Sequence, residues 1–367
     1  MLRSPKAVLL VLTLLSISIL LAACGSAETL SSETEGAGEF RELDEVAYLD
    51  AVHGSWLATM VANHSGLPVE GIYIDEPGPG DSIDLVLLDQ WSTDDDTHIE
   101  WFYLHVFETH GLDPTFEQIR DEWVDHLNND IWVSTLRARE LMDEGVLPPE
   151  TGSSELNPDG AWSIDAQLET EVFGLLNAGD PEEARIQARR FASITNSGPA
   201  VDASAFYADL YSRAFFNDDI VSLIGQARLA EPEDSIVAPI VDDVTQWFAE
   251  NPEDWRATRA LIAEKYDNDP EWWASRVNFA STIMALLYGD GDIDETLTIA
   301  GLSGWDADNN MTSASGLVGV TLGFDGLPEP WATATDVYFN QDLTGDLPQF
   351  DSVLNIAERT VALGLSG

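Results

Sequence analysis

Three adjacent carboxylates, Asp94, Asp95 and Asp96, are the residues of this chain whose types and spacing first suggest chemistry. Adjacent carboxylates repel one another, and if they pack against a protein core, a bound cation is the cheapest way to keep them ionised. Alternatively, acids in a first helical turn only cap free N–H groups and complement the helix dipole, which is worth about 0.3–1 kcal/mol per charge. The sequence leaves the metal site and the helix cap open as alternatives.

The carboxylates precede a segment with the period of an amphipathic helix. Its apolar residues recur at i, i+3, i+4, i+7 and i+8, and they are Ile99, Phe102, Tyr103, Val106 and Phe107. This pattern predicts a helix that begins at the three aspartates.

A second acidic helix start lies far downstream. The run Gly304-Trp305-Asp306-Ala307-Asp308-Asn309 has two carboxylates at i and i+2, followed by amide oxygens, and so offers half of a site for a hard cation. An EF-hand is excluded, because its sixth position would be Met311 instead of glycine and its twelfth Leu317 instead of glutamate. A third acidic cluster at 290–294 fails the same test and is interpreted as a solvated helix start.

The N-terminus has the pattern of an export signal. An uncharged apolar run at 7–23, which is short for a membrane span, ends in Leu21-Ala22-Ala23-Cys24 and resembles the bacterial lipobox. We therefore expect a lipoprotein signal peptide at 1–23, a lipid on Cys24 and a Ser/Glu/Gly/Thr-rich flexible tether at 24–40. These features predict an exported protein, held to the outer face of a bacterial membrane by its lipid alone.

The composition is strongly acidic, with 66 Asp and Glu against 16 Lys and Arg and a formal net charge of −50. Because nucleic-acid binding needs a positive field, we expect no nucleic-acid partner. A surface this acidic repels itself until salt screens it, which indicates a halophilic or salt-tolerant source. The alternative is a chain that collects divalent cations non-specifically. Cys24 is the only cysteine, so an intrachain disulfide is excluded.

Helical periodicity extends over most of the remaining chain. It occurs near 42–63, 116–127, 132–144, 164–177, 181–195, 202–214, 237–249, 254–266, 270–288, 292–301 and 309–323. Alternating strand patterns are nearly absent, although Leu85-Val86-Leu87-Leu88 is a candidate for one brief buried strand. The expected class is all-α, with a single multi-helix bundle over 41–367.

The last of these helical segments is unusual because it carries small residues along one side. They are Ala314, Ser315, Gly316, Gly319 and Gly323. Since glycine in a helix interior costs about 1 kcal/mol relative to alanine, something must press closely against that side. Another helix is favoured over a ligand.

Other residues that commonly carry chemistry give weaker signals. His98, His105 and His110 lie near the aspartate helix, but no His-x-x-x-His or cysteine-based zinc spacing is present, so we interpret them as packing or surface residues. Trp272-Trp273 and Trp331 are candidate stacking platforms for an adenine or a sugar, whereas most of the twelve tryptophans are expected in the core.

Four blocks, taken in order, resemble the ADP-ribosylglycohydrolase family. The blocks are Asp50 to Gly54 with Gly66-Leu67-Pro68-Val69-Glu70-Gly71, then Asp94-Asp95-Asp96-Thr97, then Ile164-Asp165-Ala166-Gln167 through Gly179-Asp180-Pro181-Glu182, and finally Gly304-Trp305-Asp306-Ala307-Asp308 with Gly326-Leu327-Pro328-Glu329-Pro330-Trp331. Each block alone is a weak signal, and the ordered set is a strong one.

The resemblance implies an orthogonal all-α bundle in which the two acidic helix starts face each other across a cleft with two Mg²⁺ ions, Mn²⁺ and Ca²⁺ being alternatives. The metal ligands that it implies are Asp94, Asp95, Asp96, Asp306, Asp308 and Asn309. It assigns catalytic roles to Asp95, Asp306 and Glu70, with Glu70 as general acid/base or as a group that orients the substrate. Without the resemblance, Glu70 is equally well an exposed loop carboxylate.

The chain departs from the family pattern at several positions. Asp94 stands where the family has threonine, and Asn63 stands where aspartate is usual. Ala307 replaces a threonine, Asn309 replaces a hydroxyl or thiol residue, and Asn196 stands where histidine is frequent. The metal aspartates are therefore kept while substrate-side residues differ, so the substrate is left open.

The expected function is a metal-dependent glycohydrolase that cleaves an ADP-ribosyl or related ribosyl N- or O-glycosidic bond. Its substrate would be an ADP-ribosylated protein or a small ribosyl-containing molecule, and we expect a monomer. One alternative is a surface lipoprotein that keeps the fold and the metal site but only binds nucleosides or glycans. Another is a salt-adapted structural protein in which the aspartates are only helix caps.

Overall fold

The computed structural model describes residues 43–129 and 131–367, which belong to one compact unit. The predicted signal peptide, the lipid-bearing Cys24 and the tether lie outside the described residues. Within the described residues, no helix is both long enough and apolar enough to cross a membrane.

The described part of the chain is predominantly helical, which confirms the all-α prediction. Its α-helices are α1 (Glu45–Gly66), α2 (Asp95–His110), α3 (Phe116–His126), α4 (Val133–Asp143), α5 (Glu171–Leu176), α6 (Pro181–Ala192), α7 (Pro199–Ala214), α8 (Ile220–Ala230), α9 (Ala238–Glu250), α10 (Trp255–Tyr266), α11 (Ser275–Gly289), α12 (Ile293–Ser303), α13 (Ala307–Leu322), α14 (Glu329–Ala332) and α15 (Val353–Gly364). The strands are β1 (Trp91–Ser92), β2 (Val337–Phe339) and β3 (Phe350–Ser352).

Three local expectations were wrong. The segment at 85–88 forms no strand, and Leu87 and Leu88 are exposed, so burial does not favour an extended pairing there. The segment at 164–177 is not one helix but a 3₁₀ turn, Asp165–Leu168, followed by α5. Helices α8, α14 and α15 had no counterpart among the predicted helices.

A small sheet fixes the chain where it enters α2. Strand β1 pairs in parallel with β2, with Trp91 opposite Tyr338, and β2 pairs antiparallel with β3. The indole Nε1 of Trp91 also donates a 2.8 Å hydrogen bond to the carbonyl of Thr335. Because β1 ends two residues before Asp94, this pairing sets the position of the first acidic helix start.

Helices α1 and α13 pack antiparallel at the centre of the bundle. A Cβ added at Gly319 would lie 2.6 Å from the carbonyl oxygen of Gly54, and one added at Gly316 would lie 2.8 Å from Thr59 Oγ1. The small-residue side of α13 therefore packs against a helix, as predicted, and only small residues allow this approach.

Large aromatic side chains fill the core around this pair. Trp56 of α1 is buried, and its Nε1 donates a 3.1 Å hydrogen bond to Thr360 of α15. Trp331 is also fully buried and donates to Asp294 Oδ1, so it is a core residue and no stacking platform.

Candidate active site

The two acidic helix starts meet at one cavity of about 410 Å³. Its described lining comprises Leu67, Glu70, Asp94, Asp95, Asp96, Trp132, Val133, Ile164, Asp165, Leu168, Trp272, Trp273, Asp306 and Asp308. All predicted catalytic and metal-binding residues except Asn309 are in this set, and the described lining includes no Lys, Arg or His.

A strained turn positions the acids of α13. Gly304 has φ +89°, and a Cβ there would lie 1.8 Å from the carbonyl oxygen of Tyr73, so glycine is required. Trp305 follows with φ +59°, and the backbone N–H of Asp306 then donates a 3.0 Å hydrogen bond to Asn278 Oδ1. This turn fixes where the first turn of α13 begins.

The C-terminal end of α1 brings Glu70 to the same place. A Cβ at Gly66 would lie 2.3 Å from Asp308 Cα, so the end of α1 touches the first turn of α13 directly. In the loop that follows, Glu70 N donates to the carbonyl of Gly66 at 3.0 Å, and Gly71 N donates to the carbonyl of Trp305 at 2.9 Å. Glu70 is the only site acid on a loop instead of a helix start.

Asp94 and Asp306 are N-cap residues whose side chains do not cap their helices. Five other described helices also follow an aspartate, and in each the carboxylate accepts a hydrogen bond from a first-turn amide; those residues are Asp44, Asp180, Asp219, Asp254 and Asp292. Among the described helices, an aspartate at the N-cap position therefore normally caps its helix. Asp94 and Asp306, which line the cavity, are the two exceptions. The interpretation of these acids as mere caps does not fit the geometry.

The carboxylates form two overlapping groups. In one, oxygens of Asp94, Asp96 and Asp308 lie within 4.8 Å of one another, and in the other, oxygens of Glu70, Asp306 and Asp308 do so. Asp308 belongs to both. Asp95 lines the cavity but belongs to neither group.

Two asparagine amides hold the first group in place. Asn63 Nδ2 donates to Asp94 Oδ2 at 2.7 Å and to Asp96 Oδ2 at 3.1 Å. Asn309 Nδ2 donates to Asp96 Oδ1 at 2.8 Å. Asn309, which the resemblance assigned as a metal ligand, is fully buried and does not line the cavity; its Nδ2 orients Asp96, whereas its Oδ1 has no hydrogen-bond partner among the described residues.

The cluster is electrostatically costly without a cation. Burial raises the pKa of Asp95, Asp96 and Asp306 well above the usual range of an aspartate, and nearby carboxylates add to the shift. Burial, followed by the charges of Glu70 and Asp94, raises the pKa of Asp308 to about 8. These shifts favour the protonated forms of the acids, whereas a bound cation favours the ionised forms.

The residues present suit a hard divalent cation. Asp308 Oδ1 is buried and accepts no hydrogen bond from any described residue. The same side chain belongs to both carboxylate groups. All the ligating atoms on offer are oxygens, which Mg²⁺, Mn²⁺ and Ca²⁺ prefer.

The cavity contains residues that the sequence had not indicated as site residues. Asp165 accepts a 3.0 Å hydrogen bond from Thr135 N, and its charge contributes to the raised pKa of Asp95. Trp132 stands at the rim with 59% of its surface exposed. The position of Asp165 in a family block was the available signal for that residue, and nothing in the spacing placed it or Trp132 beside the aspartates.

Comparison with known proteins identifies the family. The family model described as ADP-ribosylglycohydrolase matches residues 44–363. A solved structure titled "ADP-ribosylglycohydrolase-related protein complex" has the same fold, with a TM-score of 0.59 at 19% identity over 88% of this chain and 98% of that one. No curated protein matches the sequence. Because the family model spans nearly all of the described chain, the resemblance is confirmed: this chain belongs to the ADP-ribosylglycohydrolase family.

Proposed function

We propose that this protein hydrolyses the glycosidic bond of an ADP-ribosyl or related ribosyl group in the acidic cavity. The observation that carries the proposal is that Asp94 and Asp306 line this cavity and make no cap hydrogen bond, although both occupy N-cap positions. Family membership supports the same type of hydrolysis.

The two carboxylate groups are the proposed binding places for two Mg²⁺ ions. Asp94, Asp96 and Asp308 would hold one, and Asp306 and Asp308 the other, with Asp308 shared and Glu70 beside the second ion. When bound, such ions supply positive charge that orients ribose hydroxyls and stabilises the leaving group.

Two acids are proposed to move protons. Glu70 is partly exposed on its loop, and burial together with the charge of Asp94 raises its pKa, which favours the protonated form that a general acid needs. Asp95 lines the cavity outside both groups, so its carboxylate is placed to accept a proton from the attacking water. Asp306 is proposed to act through its place in the second group.

Three tryptophans give the cavity an apolar side suited to a flat ring. Trp132, Trp272 and Trp273 all line it, and the rings of Trp272 and Trp273 meet edge to face with centroids 5.0 Å apart. A volume of about 410 Å³ lies within the usual range for small-molecule sites. We propose that the sugar faces the carboxylates and that the base stacks on this aromatic side.

The N-terminal pattern adds a location to the proposal. Export and lipid attachment at Cys24, with 24–40 as tether, would place the cavity outside the cell. The strongly negative surface would then be in contact with an external, salt-rich medium, which screens the repulsion between its charges.

The decisive experiment incubates the full-length protein at high salt with proteins ADP-ribosylated on arginine or on serine, with and without Mg²⁺. We expect Mg²⁺-dependent release of ADP-ribose, reduced at least roughly 100-fold in Asp306→Asn. The matched control is Asp292→Asn, because Asp292 is also an N-cap aspartate but is exposed and caps its own helix.

Three outcomes would contradict the proposal. Tight binding of ADP-ribose with no turnover would favour the alternative of a binding lipoprotein. Absence of Mg²⁺ uptake in calorimetry would favour a structural protein. Equal loss of activity in Asp306→Asn and Asp292→Asn would show that the effect is one of stability and not of the cavity.

A further inference from the structure

A cluster of histidines around one glutamate lines a second cavity and shares no residue with the first. His105 and His110 do not lie on the surface independently: together with His126 they surround the carboxylate of Glu122. Glu122 and His126 are one turn apart on α3, whereas His105 and His110 are on α2. Three of the six histidines of the chain therefore converge on a single carboxylate.

The spacing within this His–Glu cluster matches the spacing around a shared metal ion. Nε2 of His105 and Nε2 of His126 each lie 3.2 Å from the same oxygen, Glu122 Oε2, and the three ligand atoms lie within 4.8 Å of one another. A tetrahedral ion with bonds of about 2.0–2.1 Å separates its ligands by about 3.3–3.4 Å. Charge-assisted hydrogen bonds are usually shorter, at about 2.7–2.9 Å, and 3.2 Å is the long end of the range for ordinary N–H···O bonds.

The hydrogen bonding of His126 prepares its ring for ligation. Nδ1 of His126 lies 2.8 Å from the carbonyl oxygen of Thr344, which can only accept, so Nδ1 carries the proton. When the ring carries no second proton, Nε2 presents its lone pair to Glu122 Oε2, and the two lone pairs repel unless a cation lies between them. Metal-binding histidines in proteins are oriented by this type of N–H to carbonyl contact.

Further groups surround the cluster. Nε2 of His110 lies 2.7 Å from the other carboxylate oxygen, Glu122 Oε1, which orients the carboxylate. Asp346 Oδ1 lies 3.7 Å from His126 Nε2 on a highly exposed side chain, so it can complete the coordination by a small movement. The open cavity of about 500 Å³ at this place leaves access for an ion from solvent.

We propose that His105, Glu122 and His126 bind one borderline transition-metal dication, for which Zn²⁺ is the probe. Imidazole nitrogens select such ions, whereas the all-oxygen cavity selects hard cations. The ion would join α2, α3 and the loop at 340–346, whose Thr344 N donates to the carbonyl of His126. A metal ion would thus cross-link elements that a disulfide cannot join, because the chain has only one cysteine.

The test measures Zn²⁺ retained by the full-length protein after equilibrium dialysis at high salt and saturating Mg²⁺, which fills the oxygen site and suppresses non-specific uptake. We expect one Zn²⁺ per chain, a melting temperature that rises with Zn²⁺, and visible Co²⁺ absorption bands typical of tetrahedral nitrogen and oxygen ligands. Asp306→Asn should retain the Zn²⁺, since its site is separate.

The variants give the proposal its sharpest test. Glu122→Gln and His105→Gln should lose the stoichiometric Zn²⁺, and His110→Ala should weaken affinity by about 10–100-fold. His53→Gln is the matched control, because His53 stacks on Phe324 outside the cluster. Wild-type protein that retains no Zn²⁺, or retention by Glu122→Gln in a folded state confirmed by circular dichroism, would overturn the proposal in favour of protonated histidines paired with Glu122.

Discussion

The side-chain amide of Asn309 donates a 2.8 Å hydrogen bond to Asp96, which joins the first turns of two helices whose residues are 213 positions apart in sequence. Asp96 also accepts a hydrogen bond from Asn63 of α1. One carboxylate thus connects α1, α2 and α13, and its two oxygens are oriented by amides that carry no charge.

The first prediction separates positioning from ligation at Asn309. If Asn309 positions Asp96 through its N–H, then Asn309→Asp replaces a donor by a carboxylate facing Asp96, and Mg²⁺ affinity should fall by about 10–100-fold. Isothermal calorimetry with Mg²⁺ measures this change. Tighter Mg²⁺ binding in the variant would show that residue 309 ligates the ion directly.

The second prediction concerns a carboxylate that has moved, relative to the family pattern, from α1 to the N-cap of α2. Relative to the family pattern, a carboxylate is missing at Asn63 and added at Asp94, and the two side chains are joined by a 2.7 Å hydrogen bond. Asp94→Thr alone should weaken Mg²⁺ binding by about 10-fold or more, because it removes one member of a carboxylate group. The double variant Asn63→Asp/Asp94→Thr should recover most of that loss in the same calorimetric assay, and failure to recover would refute the compensation.

The third prediction is a pH dependence of stability set by Glu171. Burial raises the pKa of this side chain from its usual 4.5 to about 7, and its carboxyl group contacts Ser313 and Thr170. The folded state therefore retains a proton that the unfolded state releases, so this contribution is complete below pH 4.5 and is lost as pH rises to 7, by about 1.4 kcal/mol per pH unit at most.

The Glu171→Gln variant removes that titration, because its amide is neutral at every pH. Its free energy of unfolding should fall less than that of the wild type between pH 5 and pH 8, at fixed high salt and Mg²⁺ concentration. Denaturant unfolding at both pH values measures the difference. Parallel curves for the two proteins would mean that Glu171 titrates alike in both states.

The fourth prediction tests the contact between α1 and α13. At Gly319 a Cβ would lie 2.6 Å from the carbonyl oxygen of Gly54 and 2.9 Å from Ala58 Cβ, so Gly319→Ala should destabilise the fold by about 1–3 kcal/mol. The control is Gly225→Ala in the exposed interior of α8, where a Cβ has no neighbour within 4 Å. That change should stabilise by up to about 1 kcal/mol. Equal effects at the two glycines would contradict the close packing.

Much of the helical fold was determined by the sequence itself. Spacing of apolar residues predicted α2 from Ile99 to Phe107, and the run of small residues from Ala314 to Gly323 predicted a close helix partner, because helix period and side-chain size are local properties. The strands were missed because each has only two or three residues and is held by partners distant in sequence. The family blocks also predicted, as site residues, acids from both helix starts that the structure brings to one cavity.

Only the tertiary structure decided how the acids are used. Asp94 and Asp292 are both N-cap aspartates with acidic residues in the first turn that follows, yet Asp292 caps its helix whereas Asp94 lines a cavity. Likewise, His105 and Glu122 have no recognised metal spacing until α2 and α3 pack together. The physical reason is that the sequence determines where each carboxyl group stands in the chain, whereas its desolvation and its neighbours, and with them its pKa, are set by the packing of distant helices.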